Sequence, residues 1–152
     1  MRSKIWQPSD GQGLILYLPT QERGGTQARD YSGRNRHGTI TGALWGMGKW
    51  GSGLSFDGVD DLTSIGRITE IEGTAATYTI MYWCKAAAAP NNNMLWIYDQ
   101  NNVGQASVDT YMYWALTQGA IRYTAGVTEV TTSITDLNNG SWHHIAVAKT
   151  AT

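Results

Sequence analysis

Only one cysteine, Cys84, occurs in the 152 residues of this chain. No disulfide can form within it, so stability must come from burial rather than cross-links. Proline appears three times and phenylalanine once. Charged residues make up 15% of the chain, 11 basic against 12 acidic, for a net charge of −1. That balance leaves no cationic excess to neutralise a phosphate backbone, so nucleic acid is not an expected partner. No apolar run approaches the roughly 18 residues of a membrane-crossing helix, and no membrane span is expected. The segment Ile5-Trp6-Gln7-Pro8-Ser9-Asp10 lacks the apolar core of a signal peptide. The expectation is a protein made in a cytoplasm and built into a virion or other particle, or else a fragment of a larger extracellular protein.

What the chain does hold is 18 glycines, 7 tryptophans and 8 tyrosines. This composition favours turns and aromatic strands over helices. The length fits a single domain, residues 1–152, able to bury roughly 70% of the surface its unfolded form exposes. Gly13 to Leu18 is a short apolar run closed by Pro19 and reads as a buried strand. Residues 24–38 have no sustained period and many turn formers, as a long ordered loop would. Thr39-Ile40-Thr41 makes a brief strand. Leu54 to Gly58 alternates and ends in the turn signal Asp-Gly. The clearest strand is Tyr78–Lys85, with Tyr78, Ile80, Tyr82 and Cys84 on one face and Thr79, Met81, Trp83 and Lys85 on the other. Met94 to Tyr98, Tyr111 to Leu116, Ala120 to Thr124, Val127 to Ile134 and Trp142 to Ala148 follow as strands, the second and third of these as a hairpin. Strands this closely spaced, with no amphipathic helix between them, predict an all-β antiparallel sandwich or jelly roll.

Four motifs in order, Leu14-Ile15-Leu16-Tyr17-Leu18, Asp30-Tyr31-Ser32-Gly33 with Asn35 and His37-Gly38, Gly51-Ser52-Gly53-Leu54-Ser55-Phe56-Asp57-Gly58-Val59-Asp60-Asp61, and Trp142-His143-His144-Ile145-Ala146-Val147, carry a family likeness. With the Tyr78–Lys85 strand they span nearly the whole chain. In this set the chain resembles the laminin G-like domains of the concanavalin A-like lectin and glucanase superfamily. The resemblance implies a two-sheet jelly-roll sandwich with loops at one rim available to ligands. Relatives include glycan-binding modules, adhesion domains, structural calcium sites and appendages of enzymes or virions, so the fold sets only a broad range of functions. In such relatives the Trp-His-His strand is followed by a partner strand and a closing segment, whereas here the sequence stops at Thr152. A fragment, a reduced sandwich, or a strand-donating neighbour chain beside Trp142–Ala148 are the three readings this leaves, with Ile145 and Val147 expected to face the gap.

Candidate sites follow from residue chemistry. Asp57, Asp60 and Asp61 put three carboxylates around a glycine turn and, with Asp30, could offer oxygens to calcium; the plainer reading is a turn in which aspartates cap main-chain amides. Arg34, Asn35 and His37, in a loop that also carries Arg29 and Arg36, could meet a sugar or a protein surface, though such residues more often scaffold the loop. Trp96, Tyr98, Tyr111, Tyr113, Trp114 and Tyr123 are the aromatics suited to stacking on pyranose rings or anchoring a protein interface, and period two splits them so that some belong to a core. Trp6, Trp45, Trp50, Trp83 and Trp142 lie in or beside the family motifs and read as packing residues. His143 and His144 face opposite sides of a strand and cannot act as a pair. Gly46-Met47-Gly48-Lys49-Trp50-Gly51 matches a dinucleotide fingerprint but precedes a strand, not a helix. Glu70 and Glu72 have the spacing of paired catalytic acids but lie in a polar connection. The expected function is therefore a non-enzymatic binding or adhesion module for carbohydrate or a glycan-bearing surface, or alternatively a structural component of a particle such as a bacteriophage virion.

Overall fold

The computed structural model describes residues 13–71, 76–86, 97–98, 110–115, 120–125, 128–131 and 136–150. For 97–98, 110–115, 120–125 and 128–131 the description is of backbone and strand pairing. All the strand pairings described are antiparallel, and among the described residues there is no α-helix, only a 3₁₀ turn at Thr69–Ile71. The all-β expectation holds at this level. The chain divides into two units, Met1–Gly66 and Arg67–Thr152.

In the first unit β1 (Gln27–Ala28) pairs with β2 (Gly38–Thr41), which pairs with β5 (Leu62–Ser64). Separately, β3 (Leu44–Met47) and β4 (Ser52–Ser55) form a hairpin in which Trp45 faces Leu54 and Gly46 faces Gly53. Alternation along β2 buries Gly38 and Ile40 and exposes Thr39 and Thr41. The buried side chains Ala28, Ile40 and Ala43 make the core, with Leu18, Trp45 and Leu54 packed against it. Gly42, at φ +77°, turns β2 into β3, and a Cβ there would strike Asp61 Oδ1. That position therefore requires glycine for both its backbone and its space.

The expected strand over Gly13 to Leu18 does not form. Its main-chain groups are taken by the neighbouring loop instead of by a ladder. Tyr17 N–H donates to Asp30 Oδ1 at 3.0 Å. Tyr17 C=O accepts from Tyr31 N–H at 2.8 Å, and Leu14 C=O accepts from Arg34 Nε at 3.1 Å. Further along, Ser52 Oγ donates to Thr20 C=O at 2.6 Å and Gln21 Nε2 to Trp50 C=O at 2.8 Å, tying the segment to β4.

In the second unit β6 (Tyr78–Lys85) pairs along its whole length with β11 (Trp142–Lys149), from Tyr78 opposite Lys149 to Lys85 opposite Trp142. The alternation expected for β6 is present, with Tyr78 buried, Ile80, Tyr82 and Cys84 half-buried, and Thr79, Met81, Trp83 and Lys85 exposed. Ala86, Leu137 and Ile145 form the core beneath, joined by Ile80, Tyr82, Cys84 and Val147. Ile145 and Val147 thus pack within this unit rather than facing a gap. Lys149 Nζ closes the far end, donating to Ala76 C=O at 2.6 Å and lying 5.7 Å from the Tyr78 ring centroid. A four-stranded sheet completes the unit in the order β10 (Thr128–Thr131), β9 (Ala120–Ala125), β8 (Thr110–Ala115), β7 (Ile97–Tyr98). The hairpin expected between Tyr111 and Thr124 is there as β8 and β9. Of the strand expected over Met94 to Tyr98, only Ile97 and Tyr98 are described. Leu116 lies outside the described residues, as do Val127 and residues 132–134.

Candidate functional site

Asp30 sits at the centre of the loop that carries three of the candidate residues, and it is 7% exposed. Its Oδ1 accepts from Tyr17 N–H and from Ser32 N–H at 2.8 Å. Its Oδ2 accepts from Ser32 Oγ at 2.8 Å and from Arg36 N–H at 2.9 Å. Burial alone would raise its pKa, but the main-chain donors of Ser32, Arg36 and Tyr17 and the Ser32 hydroxyl outweigh it, and the net pKa lies below the ordinary 3.8. A carboxylate so saturated by donors is a scaffold, and it stands outside the acidic group formed by Asp57, Asp60 and Asp61.

The same scaffold engages the other loop residues. Asp30 N–H donates to His37 Nδ1 at 3.0 Å, and Arg34 reaches Leu14 C=O. Asn35 adopts the left-handed conformation, φ 57°, that asparagine tolerates better than most residues. Arg34 and Asn35 are exposed and His37 half-buried. Beside this loop opens a shallow groove of about 370 Å³ lined by Glu22, Thr26, Gln27, Arg29 and Tyr31 among others. Tyr31 is 51% exposed. Glu22 Oε1 accepts from Arg29 N–H at 3.2 Å, while Glu22 Oε2 is buried without a partner.

Asp57, Asp60 and Asp61 do come together, with one oxygen of each within 4.8 Å of the others. Two of the three already work for the turn. Asp61 Oδ2 accepts from Asp57 N–H at 2.8 Å, and Asp57 Oδ1 accepts from Val59 N–H at 2.8 Å. Calcium takes roughly six to eight oxygens, so three carboxylates fall short of a site on their own and carry no evidence for the ion.

The aromatic candidates are sorted by the register of the four-stranded sheet. Tyr98 pairs with Tyr111, Tyr111 with Thr124, and Thr124 with Glu129. Two residues along, Tyr113 pairs with Arg122 and Arg122 with Thr131. Directly paired residues share a face, as do residues two apart on a strand. Tyr98, Tyr111 and Tyr113 therefore lie on one face. Trp114 lies on the other, with Ile97, Met112, Ile121, Tyr123 and Val130. Register thus separates Trp114 and Tyr123 from Tyr98, Tyr111 and Tyr113, and Trp96 lies outside the described residues. Arg122, Thr124, Glu129 and Thr131 share the tyrosine face. Sequence reasoning passed over these four, although the alternation from Ala120 to Thr131 was there to place them.

Several other expectations are revised. Trp50 is 65% exposed and Trp83 39% exposed, so neither is buried in a core. Trp50 lies under Lys49 Nζ, 5.9 Å from its ring centroid, and Trp83 rests against His144, ring centroids 5.0 Å apart, on the outer face of β6 and β11. Trp45 does pack, with its indole N–H donating to Gly25 C=O at 2.7 Å. Glu70 sits on the 3₁₀ turn rather than on a strand, and Glu72 lies outside the described residues. Cys84 is half-buried, and burial pushes its thiol up to about 12, so it is protonated and poorly nucleophilic at neutral pH. Burial, together with the neighbouring Cys84, also raises the Tyr82 phenol above its ordinary value. His143 is half-buried with Nε2 3.1 Å from Asn139 Oδ1, while His144 on the opposite face is exposed. Among the described residues no helix is long and apolar enough to cross a membrane. Compared as a whole, the chain matches no known protein family, no curated protein and no solved structure.

Proposed function

We propose that this chain is a non-enzymatic binding module that recognises carbohydrate or a glycan-bearing surface, built on a laminin G-like jelly-roll sandwich. The observation that carries the reading is the sorting of the β7–β10 sheet into two unlike faces. One collects Ile97, Met112, Trp114, Ile121, Tyr123 and Val130, a composition suited to a core. The other collects Tyr98, Tyr111 and Tyr113 among polar residues. Tyrosine offers a rigid aromatic surface with a polar tip, which suits the apolar ring faces and hydroxyl edges of sugars. Antiparallel pairing throughout supports the sandwich. Binding to a panel of immobilised glycans tests the function. Retention of particular polysaccharides by the wild type, lost on Tyr111→Ala, is the expected result; uniform silence across the panel refutes it.

A second reading rests on β11. Among the described residues it pairs with β6 alone, and a strand with an open edge is a template for a neighbour's strand. On this reading the chain is a structural component of a particle such as a virion. Sedimentation separates the two: self-association that a proline at Ala146 abolishes supports strand exchange, and a monomer at all concentrations opposes it.

A further inference from the structure

We infer that the tip of the β3–β4 hairpin is a membrane-surface anchor, which seats Trp50 and Met47 at the headgroup boundary of an anionic bilayer with Lys49 against its phosphates. The site is separate from the tyrosine face and does not depend on the carbohydrate reading. Gly48 N–H donates to Gly51 C=O at 3.0 Å, which leaves Lys49 and Trp50 as the central residues of a tight turn, with Met47 paired to Ser52 just below. Met47 is 94% exposed and Trp50 65%. Lys49 is exposed as well, with its Nζ 5.9 Å from the Trp50 ring centroid. This tip is braced from outside the hairpin. Gln21 Nε2 donates to Trp50 C=O at 2.8 Å, and Ser52 Oγ to Thr20 C=O at 2.6 Å. Gly51 has φ +79°, and a Cβ there would strike the Gln21 amide, while one at Gly48 would strike Ser52 C=O. Glycine is therefore required on both sides of Lys49 and Trp50. The indole is held ready, so docking forfeits less of the ordering entropy that a loose loop would lose.

Charge and area select the partner. Lys49 is the only charged residue in residues 38–56. In the bracing segment, Glu22 has one carboxylate oxygen on Arg29 N–H and the other buried. The acidic group of Asp57, Asp60 and Asp61 follows the other end of the hairpin, beyond Ser55, which lies three residue steps or about 10 Å from Ser52. That is further than the Debye length of about 8 Å at physiological ionic strength. The hairpin is thus basic and apolar at its tip and acidic past its base, a polarity that points the tip at a negative surface. Tryptophan favours the headgroup level of a bilayer, and a lysine near the surface gains from anionic lipid. A protein partner is the poorer fit. Two large side chains expose on the order of 300 Å² between them, whereas a stable protein interface takes about 800 Å² from each side. Insertion into a bilayer needs no matched surface, and with so few residues it is weak and reversible.

Co-sedimentation of the full chain with vesicles of phosphatidylcholine, with and without added phosphatidylserine, tests the assignment. The chain should pellet with the phosphatidylserine vesicles and much less with phosphatidylcholine alone. Trp50→Ala and Lys49→Glu should each weaken this binding about tenfold. Trp83→Ala, which removes an exposed tryptophan of the second unit, should change it less than about twofold. Vesicles with brominated acyl chains should quench part of the tryptophan fluorescence. Trp50→Phe, which keeps a ring on the turn, should remove the quenched part, while the unshifted emission of the other tryptophans shows that the variant is folded. No pelleting with either vesicle, pelleting that survives Trp50→Ala, or equal pelleting with and without phosphatidylserine overturns the proposal. A chain that pellets without vesicles and ceases to do so in Trp50→Ala also overturns it, by assigning the tip to a second copy. Glycan retention lost in Trp50→Ala, with vesicles ignored, overturns it by making the tip a sugar platform.

Discussion

Replacing Asp30 tests the loop architecture most sharply. Its carboxylate accepts from three main-chain amides, Tyr17, Ser32 and Arg36, and from the Ser32 hydroxyl, all between 2.8 and 3.0 Å. Asp30→Ala strands these donors in a buried place, at about 1–3 kcal/mol for each that water cannot reach. Water reaching some of them limits the total, so a loss of about 3–5 kcal/mol is expected, and Asp30→Asn, which keeps the volume but presents an amide to part of the donor set, loses about 2–3 kcal/mol. The pH dependence has a definite sign. The folded pKa lies below the ordinary 3.8, so between these values the unfolded chain binds more protons than the folded one. The carboxylate's contribution is complete above the unfolded pKa and fades as pH falls through the folded one, with a slope of at most about 1.4 kcal/mol per pH unit. Urea unfolding followed by fluorescence, with hydrogen exchange at the amides of Tyr17, Ser32 and Arg36, reads both effects. The gap between wild type and Asp30→Asn should be constant from pH 7 to about 5 and shrink below about 4. Equal stability of the two at neutral pH, or a gap indifferent to acid, would refute the reasoning.

Other outcomes follow from the same contacts. Gly42→Ala should cost about 2 kcal/mol or more, because φ is positive there and the added Cβ meets Asp61; a double-mutant cycle with Asp61→Ala should recover part of the loss, and strict additivity would contradict the contact. Ile145→Ala, in the core with Ala86 and Leu137, should lower stability by about 2–5 kcal/mol, whereas Trp83→Ala on the exposed outer face should cost well under that. Cys84 should react slowly with a disulfide reagent at pH 8 and freely once the protein is unfolded, since burial holds its thiol near 12; rapid labelling of the native protein would show the thiol to be accessible. Millimolar calcium in place of a chelator should move Tm by less than about 2 °C, the three aspartates being too few on their own; a larger shift would mean that main-chain carbonyls complete a site.

Strand alternation was the most legible part of the sequence. Tyr78–Lys85 and the strand from Trp142 fell where period two placed them, because each has one face against a core and the pattern reports burial directly. Gly13 to Leu18 misled for a physical reason. Apolar composition says that a segment is sheltered, but not what takes its hydrogen bonds, and here distant loop donors from Tyr31 and Arg34, and the Asp30 carboxylate, replace a ladder. Trp50 and Trp83 misled in the opposite sense, since a tryptophan covered on one side by a lysine or a histidine can remain in water. The candidate site was half legible. Period two already separated Tyr111 and Tyr113 from Trp114, but the addition of Tyr98 and of Arg122, Thr124 and Glu129 depends on cross-strand register, which hairpin geometry sets and composition does not.

The central claim is that one face of the β7–β10 sheet, and not the other, meets a sugar. Titrating isotope-labelled protein with a neutral oligosaccharide while following side-chain signals tests it most directly. The ring signals of Tyr98, Tyr111 and Tyr113 should shift or broaden together, while the methyl signals of Met112, Ile121 and Val130 on the opposite face stay in place. Shifts confined to the apolar set or to His37 and its loop, with the three tyrosines unmoved, would contradict it.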